Sequence, residues 1–254
     1  MTKRIELFRL PIDAITMQET LDLIKNSIDN NRHIHHVVVN AAKIVNAQKD
    51  EALRESIIHC DLINADGQAV VWASKILKCP LPERVAGIDL MEKLVELAAK
   101  KSYRIYFLGA KEEVLRAVVD KYSEQYGSNI IAGYRNGYFS KEEESGIALE
   151  IAELKPQILF VAITSPKKEI FLNTYKKEIK VPFIMGVGGS FDVVSGKVKR
   201  APLWMQRLSL EWLFRVIQEP KRMWKRYLVT NSKFILLLIK EKWHLTFNPK
   251  REES

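Results

Sequence analysis

The sequence predicts an α/β protein: Rossmann-like, with a mostly parallel sheet flanked by helices and a C-terminal helical appendage. Three observations lead there. Short apolar runs alternate with amphipathic stretches from residue 1 to about 195. Asn40, Asp66-Gly67 and Gly109 stand at the carboxyl ends of three such runs, where a parallel strand turns towards its crossover helix. After Pro202 the pattern becomes helical throughout, so the chain divides into a core at 1–195 and an appendage at 196–254.

The elements follow in order. Ile5–Phe8 and His36–Val39 read as strands, and a helix between them opens at the capping box of Thr16 and Glu19. Ala41–Lys49 and Gly67–Leu77 read as helices flanking a short strand at Leu62–Asn64. A helix at Asp89–Lys100 leads to the strand Arg104–Leu108, which Gly109 ends. Helix Glu112–Tyr126 and strand Ile130–Tyr134 come next. Ser140 and Glu143 form a second capping box, opening a helix to about Leu154. Strand Gln157–Ile163, helix Lys167–Lys177 and strand Phe183–Met185 complete the core. The appendage reads as helix Trp204–Gln218, a break at Pro220, and helix Arg222–Lys242.

Composition narrows the class. The chain is 254 residues long and 47% hydrophobic, enough for a sizeable core. Cys60 and Cys79 are isolated and read as reduced intracellular thiols. Met1–Pro11 lacks the apolar core of a signal peptide, and the best apolar run, Phe234–Ile239, is far short of the ~20 residues a membrane span needs. A cytoplasmic protein is expected. The net charge of +9 is uneven: residues 199–254 hold 13 Lys/Arg against 5 Asp/Glu and four of the five tryptophans. Basic residues interleaved with aromatics suit an anionic membrane surface; nucleic acid, or a helical cap packed on the core, would use them too.

The densest cluster of chemistry-bearing residues is Phe183–Pro202, an apolar run that empties into Gly186, Gly188 and Gly189, then Asp192, Lys197, Lys199 and Arg200. Backbone N–H groups freed at such a turn can hold an anion. It is not the dinucleotide fingerprint, since Phe191 stands where the third glycine belongs, nor a P-loop, since Val198 follows Lys197. Other polar residues fall at predicted strand ends: Asn40, Asp66-Gly67, the Tyr134–Phe139 stretch with Tyr138, and Thr164–Glu169 with Lys168 and Glu169. Asp66 is either a helix cap or a base for an incoming hydroxyl. Arg84 either neutralises a phosphate or pairs with Glu83 or Asp89. His33, His35 and His36 look metal-like, but 35 and 36 point to opposite faces of a strand. No Asp-x-Asp anchor for a nucleotide-bound cation occurs, so a departing diphosphate would rely on arginine and lysine.

Taken together, NADGQAVVWASK (64–75), PLPERVAGIDL (80–90), SPKKE (165–169), GVGGSFDVVSGKVKRAP (186–202) and LEWLFRVIQEPKRMWKRY (210–227) resemble the WecG/TagA/CpsF glycosyltransferases over nearly the whole chain. The resemblance implies a peripheral membrane enzyme of bacterial cell-surface polysaccharide or teichoic acid synthesis. It would move a sugar from a UDP-sugar to an undecaprenyl-diphosphate-linked sugar, inverting the anomeric centre and using no metal or other cofactor. The family's catalytic aspartate falls on Asp66, its pocket arginine on Arg84 and its strand-end asparagine on Asn40. Its basic appendage residues fall on Arg215, Arg222 and the Lys225–Arg226 pair. Gly67, Tyr138, Lys168, Glu169, Gly188, Gly189 and Asp192 are the further candidates for substrate binding. Two positions depart from the family pattern: Val38 replaces a threonine and Lys168 replaces a glutamine, removing a hydroxyl and an acceptor from the expected sugar pocket. Hexoses other than N-acetylmannosamine therefore stay open as the transferred sugar.

The expected partners are a UDP-sugar donor, a lipid-linked acceptor and the inner face of the plasma membrane, with no nucleic acid. The oligomeric state is left open, a homo-oligomer included. A nucleic-acid-binding protein and a catalytically dead sugar- or lipid-binding relative are the competing readings. On a continuous helix Arg215, Arg222 and Arg226 would share one face, well placed to cover a diphosphate.

Overall fold

Six strands form one all-parallel sheet in the order β4-β3-β8-β7-β5-β6 in a computed structural model that describes residues 3–164, 167–208 and 210–247. Numbered along the chain, they are β3 (Ile34–Val39), β4 (Leu62–Ala65), β5 (Ile105–Gly109), β6 (Ile131–Arg135), β7 (Ile158–Ala162) and β8 (Phe183–Gly186). β5 and β7 are buried along almost their whole length, as strands covered on both faces must be. The predicted parallel α/β architecture holds.

Alternation of side chains sorts the helices onto two faces. One face carries Phe107, Phe160, Phe183 and Met185, and packs against α1 (Met17–Asp29), α5 (Gly87–Lys101), α6 (Glu112–Tyr126) and α10 (Ser190–Val194). The other is shared by two clusters. Val37, Val39, Ile63 and Ala65 meet α2 (Ala41–Ala47) and α4 (Gln68–Ile76), with α3 (Glu51–Ile58) beside them. Tyr106, Leu159 and Ile184 meet α7 (Glu144–Leu154), α8 (Lys167–Thr174) and α9 (Lys176–Ile179).

Several expectations need correction. The first strand is half of an antiparallel hairpin, β1 (Arg4–Leu7) with β2 (Leu10–Asp13). Its two-residue turn is Phe8-Arg9, both at positive φ (55° and 63°) where Asn-Gly is usual, and Pro11 sits inside the second strand, so neither signal was visible. The Thr16–Glu19 capping box forms in both directions. The Ser140–Glu143 pair forms only in part: the Ser140 N–H donates to Glu143 at 2.8 Å, but the helix starts after it, at Glu144. The predicted helix Trp204–Gln218 is two, α11 (Leu203–Arg207) and α12 (Glu211–Gln218). α13 (Pro220–Phe247) follows, with proline tolerated at its first position because that N–H has no intrahelical partner.

The C-terminal helices are not a loose tail. Phe234 of α13 is buried and its ring meets that of Phe8 edge-on at 5.3 Å, within the α2/α4 cluster. Among the described residues no helix is long and apolar enough to cross a membrane. Because all six strands point the same way, Asn40, Asp66, Ala110, Asn136 and Val187 leave the sheet at one edge.

Candidate active site

The carboxyl end of β4 carries Asp66. Its N–H donates to the Val39 carbonyl at 2.7 Å, extending the β3–β4 ladder by one residue. Gly67 follows with φ +132°, a conformation L side chains rarely adopt, which turns the chain sharply into α4. Asp66 does not cap that helix: its N-cap is Gly67, with no side-chain bond. The Val85 N–H instead bonds Ala65 O at 2.9 Å and lays the Arg84–Gly87 segment across the strand end. The Gly87 N–H, first in α5, faces the Asp66 carboxylate and favours its charged form. Burial pushes the Asp66 carboxyl above its ordinary range; Arg84, that N–H and Arg215 pull it back, and Glu211 pushes it up.

Arg84 pairs with neither Glu83 nor Asp89. Its guanidinium meets Glu211 of α12 at 2.5 Å, with both side chains mostly buried. Glu83 accepts the Met17 N–H, and Asp89 holds Arg200. Arg200 also reaches Glu92 at 3.6 Å and Glu211 at 3.7 Å. One glutamate therefore ties α12 to two arginines, and Arg215, one helical turn on, is exposed yet close enough to act on Asp66.

A second charged group lies at the ends of β3 and β8. Lys168 is 12% exposed, pairs with Glu169 at 3.1 Å, and lies over Gly186, where a Cβ would fall 3.0 Å from its Nζ. It does not point to solvent. Lys43 donates to Val38 O at 2.9 Å, and burial, then the Lys168 charge, bring its pKa down to about 8. Sequence reasoning passed over Lys43. A lysine three residues after the N-cap Asn40 opposes the helix dipole, and that was the available signal. Asn40 itself caps α2, its Oδ1 accepting the Lys43 N–H at 3.0 Å.

The glycine turn is open. Gly188 has φ +52° with nothing within 4 Å of a Cβ, and Gly189 is exposed beside Asp192, which pairs with Lys197 at 3.8 Å. Tyr138 lies on the approach to α8. It is 72% exposed, on the stretch after β6 that folds back over the ends of β5 and β7, where the Gly137 N–H donates to Ala110 O at 2.9 Å and Phe139 O accepts from Lys167 Nζ at 2.6 Å. The histidines do not converge: His33 Nδ1 faces Val181 O at 2.7 Å, and buried His36 faces Asn64 Oδ1 at 2.9 Å. Ser165 and Pro166 lie outside the described residues, as do the side chains of Arg222 and Arg226.

The Glycosyl transferase WecG/TagA/CpsF family matches residues 5–248, nearly the whole chain. The chain belongs to that family. The match takes in the sheet and all three C-terminal helices, so this WecG/TagA/CpsF glycosyltransferase carries both as family structure. Three relatives share the name N-acetylglucosaminyldiphosphoundecaprenol N-acetyl-beta-D-mannosaminyltransferase. The Bacillus subtilis (strain 168) protein is 40% identical over 82% of this chain and 80% of its own length. The Bacillus spizizenii protein is 34% identical over 84% and 81%, and the Staphylococcus aureus protein 33% identical over 87% of each.

Within this WecG/TagA/CpsF enzyme the one-face argument for the three arginines needs correction. Glu219 closes α12 at φ −133°, ψ 66°, so the helical phase is reset before α13. Arg215 lies on one helix, and Arg222 and Arg226 lie on the next.

Proposed function

We propose that this glycosyltransferase moves an N-acetylmannosamine-like hexose from a UDP-sugar to a sugar carried on undecaprenyl diphosphate, inverting the anomeric centre without a metal. The observation that carries the reading is Asp66: a half-buried strand-end carboxylate with a raised pKa, facing the Gly87 N–H and flanked by Arg84 and Arg215. In the proposed step an acceptor hydroxyl oxygen attacks the anomeric carbon. Its proton passes to Asp66, the bond from that carbon to the diphosphate oxygen breaks, and UDP leaves. A raised pKa suits a base that must take a proton near neutral pH. Arg84 and Arg215, with Arg222 and Arg226 on the next helix, are assigned to the charge developing on the diphosphate. Asn40, Gly67, Gly188, Gly189 and Asp192 shape the sugar and phosphate pocket, joined by Lys168 and Glu169.

The relatives' printed names supply the acceptor and sugar classes, and the missing Asp-x-Asp anchor supports cation-borne diphosphate stabilisation. We assign residues 196–254 to an appendage that rests on the cytoplasmic membrane surface rather than on nucleic acid. Support comes from the exposed Trp204, Trp212, Trp224 and Trp243 beside its basic residues, an arrangement suited to headgroup depth.

The test is a screen of UDP-sugars against a synthetic lipid-linked acceptor, with product followed by mass. One UDP-sugar should give a product heavier by one hexose residue, and Asp66→Asn should lower turnover by roughly 10²–10⁴ with folding intact. UDP release without a heavier product, or full turnover in the folded variant, overturns the assignment.

A further inference from the structure

On the flank of the molecule, away from Asp66, α2 and α13 enclose a groove of about 270 Å³. Its floor is Val45, Leu236 and Leu237, and its rim is Lys49, Lys233 and Lys240. Among the described residues no carboxylate lies within 4 Å of any of these three ammonium groups, although most basic residues near the active site are paired. The remaining polar side chain of the wall, Gln48, is committed to structure: its amide donates to Phe8 O at 2.9 Å and to Ile44 O at 3.3 Å. The groove therefore offers three uncompensated positive charges over an apolar floor.

Helical spacing joins this groove to an apolar stripe. Lys233, Leu236, Leu237 and Lys240 follow at i, i+3, i+4 and i+7, so they line one face of α13. Leu236, Ile239 and Trp243, all exposed, follow at i, i+3 and i+7 along the adjoining face. Leu236 belongs to both. A ligand anchored by the lysines would thus have its apolar part directed along exposed leucine, isoleucine and tryptophan. A soluble anion uses only the rim, and an apolar partner uses only the stripe. An amphiphile with one phosphate uses both.

We infer that this groove is a discrete binding site for the phosphodiester headgroup of an anionic membrane phospholipid, its first acyl segment lying along Leu236, Ile239 and Trp243. The inference rests on the membrane-docking part of the function proposed above and adds a defined site to it. Charge complementarity favours the lipid over a second copy of this chain, whose corresponding face would bring the same three lysines to meet these.

The experiment compares the full chain with K49Q/K233Q/K240Q and with a control, K93Q/K101Q/K111Q. The control removes the same three charges from exposed lysines on α5 and at the start of α6, on the opposite face of the sheet. Binding is read by co-sedimentation with phosphatidylcholine vesicles, with and without phosphatidylglycerol. The groove variant should lose at least about tenfold in affinity for the anionic vesicles, and the control should stay within about twofold. Both variants should melt like the parent protein and transfer normally to a water-soluble acceptor. Equal losses in the two variants would mean a diffuse field, and no loss in either would empty the groove; each overturns the site but leaves membrane docking standing. An unmodified protein that ignores anionic vesicles sinks the docking reading as well. Methyl NMR separates the phosphate sources: monomeric short-chain phosphatidylglycerol should shift Leu236 and Leu237, whereas an equal response to glycerol phosphate overturns the lipid assignment. A groove variant that merely turns a dimer into monomers in the ultracentrifuge also overturns it.

Discussion

Replacing Phe234 with alanine tests whether the C-terminal helices fold as one unit with the sheet. The side chain is 4% exposed and its ring lies 5.3 Å from that of Phe8 at 63°. Truncating a buried phenylalanine costs about 3–5 kcal/mol, of which the edge-on pair accounts for roughly 0.5–1.5. Against a typical stability of about 5–15 kcal/mol, that is a large fraction of the whole. The cavity would also open under the Phe8-Arg9 turn, whose positive-φ geometry this packing holds in place. Urea unfolding followed by far-UV circular dichroism and by tryptophan fluorescence should show one coincident transition for both proteins. Its midpoint should move down in the variant with the slope unchanged. The neighbour Ile235 is 54% exposed, so Ile235→Ala should cost less than about 1 kcal/mol. A loss below about 1 kcal/mol for Phe234→Ala, or separate transitions for the two signals in the parent protein, would refute the claim that α13 belongs to the cooperative core.

Three other outcomes are expected. Since burial raises the Asp66 pKa, the acidic limb of kcat/KM should have its midpoint above the ordinary carboxylate range. The folded state also holds that proton more tightly than the unfolded chain does, so stability falls as pH rises through the native pKa; Asp66→Asn should melt higher than the parent at neutral pH. Lys168→Gln removes a cation packed on Gly186 and should change the ratio of turnover among donors in a competition assay; an unchanged profile would leave Lys168 a structural residue only. Glu211→Gln leaves Arg84 and Arg200 without their shared counterion, and hydrogen bonds to charged groups are worth about 1.5–3 kcal/mol. Proteolysis in the α11–α12 region should accelerate in that variant, and a wild-type cleavage rate would mean that the pair does not hold α12 down.

The parts of the fold that the sequence announced were those whose signal is local. Ile105–Gly109 and Ile158–Ala162 are unbroken apolar runs, and Glu112–Tyr126 has a full helical period between Lys111 and Gly127. β2 was hidden by Pro11 and by a turn without glycine. α3 went unread although Asp50 caps it, accepting the Leu53 N–H at 2.9 Å, because it is short and no glycine or proline separates it from α2. The α11–α12 break has no proline or glycine, so nothing local marks it. The site divides in the same way. Asp66, Asn40 and Gly188 follow from being at strand ends. The partnership of Arg84 with Glu211 spans 127 positions and depends on where α12 comes to rest, which no local pattern encodes.

The strand order carries a consequence for synthesis. β4 and β3 form one half of the sheet and β6, β5 and β7 the other, and the two halves meet only through β8, the last strand to be made. Until Phe183–Gly186 leaves the ribosome, β3 and β7 each present an unpaired edge, and Asn40 and Asp66 have no fixed relation to Lys168 and Glu169. Closing the sheet must bring His35 and Ile184 together across nearly 150 residues, a non-local step of the kind that slows folding. Nascent chains cut short before Val181 would expose two sticky half-sheets and hold no assembled pocket. The enzyme comes into being in one late event, at the centre of its own sheet.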